Sequence, residues 1–448
     1  MYVDIALSRM KYLVLFFAAF IFMTLPARAQ QDGTILRDNS PVFPIGFYAI
    51  PKDDAALRAM VDAGANIVRC NSQQDLDRAH AAGIVGWMPL PLQAGATDAL
   101  RDRVNQFKDH PALAVWEGPD EVVWCFTALS GLYRQRDVHK IRHAWWHQTP
   151  AAIAFAEKEA ATIMPNLNAG AKLVRELDDQ DRPLWMNEAL KSDPKYVRQY
   201  SDSFDIIGSD TYPVRWDRRP VHAMGVATEH WKRIGRGEKA IWMVLQAFSW
   251  SDSGGYHGDT PDAYPSFDES RFMAYDVIVR DGRGIYYFGA DILKSEACRE
   301  AIYAVTSELD ALQEFLVLPA YPGVKVDLVE LPEESVEDPA KSTGKDGAWY
   351  PGSVARLGTG SVHATVRHIG DEWLVVVVNE DTIHHMGVVV EGLEALNGKT
   401  LDLLYADGQE TVSHGELMVR MKPYEVKIFA TGREWESERK QGRDYLGE

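Results

Sequence analysis

A short apolar run, rich in β-branched and aromatic residues, followed by a longer stretch of helical period, recurs along the first two thirds of this chain. The runs are Phe43–Ile50, Asn66–Cys70, Ile84–Leu90, Leu113–Trp116, Pro183–Met186, Phe204–Ser209, Ile241–Leu245 and Gly284–Phe288. Between them, Asp53–Ala63, Thr97–Phe107, Ala151–Leu177, Lys195–Tyr200, Val221–Ile234, Glu269–Val279 and Ala297–Phe315 repeat apolar positions at helical spacing. Strands that are apolar throughout need cover on both faces, which alternating helices supply in a parallel sheet. Eight such units over roughly 270 residues fit a (β/α)8 TIM barrel. An open doubly wound sheet would carry a Gly-rich phosphate turn after its first strand. Here Tyr48-Ala49-Ile50-Pro51 follows instead, and no P-loop occurs, so a dinucleotide or P-loop fold is excluded.

The pattern changes near Pro319. Val324–Leu331, Ser361–Ile369, Glu372–Val378, Met386–Val390, Thr400–Tyr405 and Leu417–Phe429 alternate between apolar and polar, with Gly, Asn and Asp turns between them. That predicts a small C-terminal antiparallel β-sandwich. Glu333–Ala348 is polar and predicts a loop. The expected division is a leader over 1–29, a barrel over 30–318, a sandwich over 319–432 and a charged tail over 433–448.

The leader reads as a cleaved signal peptide. Arg9 and Lys11 precede the apolar run Tyr12–Leu25, and Ala27-Arg28-Ala29 places small residues where a signal peptidase reads. The run is shorter than the ~20 residues a membrane span needs, so the protein is expected to be exported to the periplasm or beyond the cell. A net charge of −18 repels nucleic-acid phosphates and anionic lipid, so neither is an expected partner of the mature chain. Three cysteines make neither a disulfide framework nor a zinc spacing. A Cys70–Cys125 bond is conceivable, because both fall at one end of the barrel, and three thiols are the alternative. His384-His385 lacks a third ligand at metal spacing, and no cofactor is implied.

In a barrel of this kind the reacting groups stand at the C-terminal ends of the strands. There the sequence places Arg69, Trp87, Trp116 to Glu121, Asn187-Glu188, Asp210-Thr211-Tyr212, Gln246 to Trp250 and Asp291. Carboxylates interleaved with aromatic rings suit sugar chemistry. Glycosidic hydrolysis needs an acid at the leaving oxygen and a second group opposite it, and aromatic faces stack on sugar rings. Asp120 beside Glu121 can keep one carboxyl protonated near neutrality. Each residue also has a plainer reading: a solvated turn for Asp120-Glu121, a turn cap for Asp210, a helix-start carboxylate for Glu188, core for Trp116 and Trp250. The long connection Val122–Pro150 sets Arg134, Arg136, His139, Lys140 and Arg142 among Trp124, Phe126, Tyr133, Trp145 and Trp146. Such a patch would suit an anionic sugar, and a solvated helix is the alternative. No GxSxG nucleophile elbow occurs.

These segments resemble those of the clan A glycoside hydrolases, over about Ile35 to Phe315. "ILRDNSPVFPIGFYAI" is similar to their first strand and "AGANIVRC" to their second. "HPALAVWEGPDE" resembles the fourth-strand segment whose final Glu is the acid/base, here Glu121. "RPLWMNEA", "DIIGSDTYPV", "IWMVLQAF" and "ESRFMAYDVIVRDGRGIYYFG" are closer to a set of bacterial exported glycosidases of uncertain substrate. The resemblance implies a glycosidase barrel with two departures. Asp120 stands where the clan has Asn, and Gln246 stands where it has the nucleophilic Glu. An amide does not form the usual glycosyl ester.

The expected assignment is therefore a carbohydrate hydrolase with Glu121, Asp120 and Asp210 as catalytic groups. Arg69, Trp87, Trp116, Asn187, Glu188, Tyr212, Gln246, Trp250 and Asp291 would line the sugar site. Asp210 or Glu188 could activate water, or a substrate acetamido group could be the nucleophile. The competing assignment is a silent glycan-binding protein; a lyase, with Arg69 facing a uronate, is a third. The oligomeric state is open.

Overall fold

The computed structural model describes residues 32–37, 40–129, 143–254, 260–329 and 361–438. The leader, the basic part of the long connection, the polar loop after Val329 and the end of the tail lie outside these residues.

Eight parallel strands close into a barrel: β1 (Ile45–Phe47), β2 (Ile67–Arg69), β3 (Val85–Pro89), β4 (Leu113–Glu117), β5 (Leu184–Ala189), β6 (Ile206–Asp210), β7 (Ala240–Gln246) and β8 (Gly284–Phe288). β8 pairs with both β7 and β1, which seals the ring. A short hairpin, Ile35–Arg37 with Ser40–Val42, precedes it. This is the TIM barrel that the alternating pattern predicts.

Strand geometry sorts the side chains. Successive residues point to opposite faces, so one of each neighbouring pair enters the barrel and the other meets the helices. Ile67, Trp87, Val115, Trp185, Ile206, Trp242, Val244 and Tyr286 share one interior cluster. Their rings are packed edge-on or stacked, with Trp185 and Tyr286 centroids 4.7 Å apart and Trp87 and Tyr286 5.0 Å apart. Glycine makes room for them: a Cβ on Gly46 would come within 2.5 Å of the Tyr286 ring, and one on Gly284 within 2.5 Å of Trp242. The barrel is thus plugged by aromatic residues below its mouth.

The helices start where capping residues satisfy their free amides. Ser72 and Asp75 form a reciprocal capping box on Gln73–Ala81, as Ser266 and Glu269 do on Phe267–Val279. Thr149 caps the long helix Pro150–Leu177, with Pro150 in its first turn. None of the helices among the described residues is long and apolar enough to cross a membrane.

The C-terminal strands form two antiparallel sheets. Lys325–Val329, Met386–Glu391 and Glu416–Met421 make one; Val362–Ile369, Glu372–Asn379, Val426–Ala430, Thr400–Leu403 and Gln409–Thr411 make the other. Two details differ from expectation. Leu417–Phe429 is not one strand: Pro423 supplies no N–H and Tyr424 takes φ 51°, so the chain turns and the two halves enter different sheets. Gln409–Thr411, fully exposed, is too polar to announce itself as a strand. Leu374, Val376, Val378 and Ile428 pack into the same core as the barrel helices, so the sandwich is welded to the barrel.

Candidate active site

The face carrying the strand C-termini holds the predicted acids. β4 ends at Glu117, and the turn beyond it carries Asp120 and Glu121. The turn is sharp because Glu121 adopts φ 49°, ψ 39°, a left-handed conformation that a non-glycine residue keeps only when its surroundings over-determine it. They do. The Glu121 N–H donates to the Asn187 carbonyl at 3.1 Å, and its own carbonyl accepts from the Cys125 N–H at 2.8 Å.

Beneath this turn lies Glu188. Its carboxylate accepts from the Val123 N–H at 2.9 Å, the Ser192 hydroxyl at 2.7 Å and the Tyr200 hydroxyl at 3.0 Å, and also from the Trp124 N–H. The residue is fully buried, and burial pushes its pKa up to about 7 despite those donors. Glu188 therefore does not line a sugar site, contrary to expectation. It alternates with Asn187 on β5 and faces outward, where it anchors the turn that presents Glu121.

Asn187 faces inward. Its Nδ2 donates to Asp120 Oδ1 at 2.9 Å, while its Oδ1 has no protein partner. Asp120 is open to solvent, yet enough protein surrounds it to raise its pKa; Asn187, Arg69 and the Glu121 N–H counter that rise.

The Glu121 and Asp210 carboxyls are neighbours that interact directly, with Tyr212 close to Asp210. Both carboxyls are raised, first by burial and then by negative neighbours: Asp210 and Asp120 act on Glu121, and Asp120 acts on Asp210. Glu121 rises further. Two carboxyls at this separation cannot both ionise, so the pair holds a proton on Glu121.

Glu117 was not singled out by sequence reasoning. It is fully buried, bonds Arg69 Nε at 2.8 Å and has its pKa pushed up to about 7, chiefly by burial. Its signal was parity: it enters the barrel as Val115 does, two residues earlier. Arg69 is thereby committed to Glu117, with its guanidinium 5.7 Å from the Tyr48 ring centre. Tyr48, also unanticipated, is nearly buried, and its hydroxyl lacks a protein partner.

Three other expected lining residues are elsewhere. Trp116 faces the helices, fully buried, its indole N–H donating to Asp178 at 2.6 Å. Trp87 is fully buried in the aromatic plug and offers no ring face. Gln246 points inward but is fully buried and committed. Its Oε1 accepts from the Val214 N–H at 2.9 Å, and its Nε2 donates to the carbonyls of Val214 and Phe248, each at 2.9 Å. It braces the loops after β6 and β7 and does not reach a sugar.

Tyr212 and Trp250 belong to an apolar wall. Tyr212 stacks on Phe288 with centroids 5.5 Å apart, and Phe248 lies 5.1 Å from Tyr212 and 5.4 Å from Trp250. Phe288 is 37% exposed, so the wall keeps an open face. Asp291 is exposed on the turn after β8. Cys70 is a buried thiol, its Sγ 3.7 Å from the Val68 carbonyl, and makes no bond to Cys125. Among the described residues no cluster of three or more His, Cys, Asp or Glu side chains is arranged to hold a metal ion.

Neither a family model nor a curated protein matches the sequence. Solved structures do match its shape. A glycoside hydrolase family 5 protein from Bacteroides vulgatus superposes with a TM-score of 0.51 at 12% identity, over 94% of this chain and 99% of that one. The two chains share a barrel followed by a β-sandwich. At that identity the likeness establishes fold alone. An α-amylase from Geobacillus thermoleovorans, solved with acarbose, gives a TM-score of 0.48 at 9% identity, covering 90% of this chain and 99% of that one. A family 30 endoxylanase from Clostridium papyrosolvens gives 0.43 at 12% identity, covering 89% and 97%.

Proposed function

We propose that this protein hydrolyses glycosidic bonds in a saccharide bound at the barrel mouth, with Glu121 as the proton donor. One observation carries the reading: Glu121 sits on a braced turn at the barrel mouth beside Asp120 and Asp210, where burial first and those two carboxyls next favour its protonated form. A general acid must keep its proton at the working pH and face the leaving oxygen. Burial and the neighbouring Asp210 and Asp120 favour the protonated form of Glu121, Asp120 is open to solvent, and the Tyr212–Phe288 wall offers rings for sugar faces. Export through the leader is part of the proposal, and N-terminal sequencing of the mature protein beginning at Gln30 would support it. An anionic sugar finds less support at this site, because Arg69 is already paired with Glu117.

The deciding assay incubates the mature protein with a glycan panel and follows new reducing ends, in parallel with Glu121→Gln. Release by the natural protein and its loss in the variant support the reading. Equal release by both would remove Glu121 from the chemistry. A second reading, a glycan-binding protein without turnover, is favoured by Gln246, whose committed amide leaves that position without a nucleophile. Binding of a glycan with no release from the whole panel would select it.

A further inference from the structure

The pairing of Glu121 with Asp210 leaves a chemical gap. A glycosidase acid needs a partner on the far side of the anomeric carbon, either a nucleophile or a base holding water. Asp120, Glu121 and Asp210 are gathered on one side. Across the mouth the inward residues at the strand ends are Gln246, Phe288, Tyr48 and Arg69. Gln246 is fully hydrogen-bonded to the backbones of Val214 and Phe248, and Arg69 is tied to a buried carboxylate. Among the described residues none of these four offers a carboxylate, and Asp291 stands exposed on the turn after β8.

We infer that the missing nucleophile is brought by the substrate: the site takes a 2-acetamido-2-deoxy sugar whose carbonyl oxygen attacks its own anomeric carbon. The inference rests on the glycosidase reading above and narrows its substrate class. A carbonyl oxygen in this role needs three things from the protein. It needs an acid at the leaving oxygen, which is Glu121. It needs a charged carboxylate beside that acid, to accept the acetamido N–H and balance the positive charge that develops on the amide. Asp120 fits: it is adjacent in the chain, open to solvent, and oriented by the Asn187 amide at 2.9 Å. Asn187 is itself 2% exposed, with an oxygen that no protein donor satisfies. Finally, the acetamido methyl group needs an apolar wall near the carboxyls. Tyr212 reaches from Asp210 to a stack on the half-open Phe288 ring and supplies it.

The step balances without another reagent. The acetamido oxygen–C1 bond forms as the C1–leaving oxygen bond breaks, and the Glu121 proton passes to the departing alcohol. The oxazolinium so formed is held against the Asp120 carboxylate. Water then attacks C1 and gives its proton to the Glu121 carboxylate, while the C1–oxygen bond of the ring breaks and restores the acetamide. Configuration is retained, and only sugars with the acetamido group trans to the leaving group can react.

The test uses the mature full-length protein. Aryl 2-acetamido-2-deoxy-β-glucosides and β-galactosides, and chitooligosaccharides, are compared with the matching 2-hydroxy glycosides and with a neutral and anionic polysaccharide panel. Turnover is expected only where the acetamido group is present. Replacing that group by mono-, di- and trifluoroacetamido, which weakens the carbonyl oxygen, should lower kcat progressively in the unaltered protein. Asp120→Asn should reduce kcat about 10²–10³-fold with KM little changed, as loss of a group that stabilises charge in the transition state does. A thiazoline analogue of the cyclic intermediate should inhibit competitively. Cleavage of 2-hydroxy substrates at comparable rates, or a kcat indifferent to fluorination, would overturn the acetamido inference and leave the glycosidase reading standing. Loss of turnover in Asp291→Asn alongside hydrolysis of 2-hydroxy substrates would point to a base on β8 instead and equally overturn it. No release from any substrate would sink both.

Discussion

Glu121 and Asp210 lie far apart in the chain, yet their carboxyls interact directly at the barrel mouth, and Asp120 adds a third negative neighbour to the pair. The relationship sets the protonation order of the site. Burial raises both groups, and the second charge keeps the proton on Glu121. Burial and two negative neighbours together favour the protonated form of Glu121.

Removing Asp210's charge therefore has a defined sign. Like charge raises a carboxyl pKa, so Asp210→Asn should lower that of Glu121 and shift the alkaline limb of the pH–rate profile to lower pH. The limb should move while folding is unaffected, as judged by the thermal melt. A limb that stays in place would mean that burial alone holds the Glu121 proton.

The pH dependence of stability follows from Glu117 and Glu188, both fully buried with pKa values pushed up to about 7. A carboxyl with a raised folded pKa binds more protons folded than unfolded. Its contribution is fullest below the unfolded value and is lost as pH rises through the folded one. Each group accounts for on the order of 3 kcal/mol across that window. His222 and His230, lowered by burial, act oppositely below their ordinary pKa. Between pH 6.5 and 8 the carboxyls should dominate, and Tm should fall. A Tm that rises over this interval, measured by circular dichroism, would contradict the assignment.

Glu188 tests the brace beneath the acid. Glu188→Ala leaves the Val123 and Trp124 amides and the Ser192 and Tyr200 hydroxyls without their acceptor inside the protein. Stability should drop by about 3 kcal/mol or more. Glu188→Gln, which keeps one acceptor oxygen, should fold and lower kcat more than it raises KM, because the Glu121 turn loosens while the mouth stays intact. Unchanged kinetics in a folded Glu188→Gln would remove Glu188 from the positioning of Glu121.

The barrel was legible because its strands are apolar throughout and its helices are periodic. So was the place of Asp120-Glu121 at the barrel mouth, since the pair follows a strand. What could not be read was commitment. Trp116 and Glu117 are neighbours, and period-two alternation sends one outward to Asp178 and the other inward to Arg69. Fixing that parity needed one interior residue per strand, such as Val115 or Trp185, to be known first. The same alternation separates Asn187, which orients Asp120, from Glu188, which anchors the turn. Gln246 has the inward parity expected of a site residue. Its partners, the backbones of Val214 and Phe248, come from loops whose approach no local pattern encodes.

Gln246 also gives the sharpest test of whether this barrel could run on an enzymic nucleophile. Gln246→Glu places a carboxylate at the strand-seven position. The Val214 N–H can still donate to it, but the carbonyls of Val214 and Phe248, which now receive hydrogen bonds from Nε2, would face an acceptor at 2.9 Å. Two buried carbonyls would lose their donor, and an ionised carboxylate would sit fully buried without a counter-charge. The variant should lose about 2–4 kcal/mol of stability and gain no activity on 2-hydroxy aryl glycosides. The readouts are the thermal melt and a mass-spectrometric search for a covalent adduct with a 2-deoxy-2-fluoro glycosyl fluoride. A stable variant carrying such an adduct would show that the side chain can leave its backbone partners and reach the anomeric carbon, which the present hydrogen bonding of Gln246 forbids.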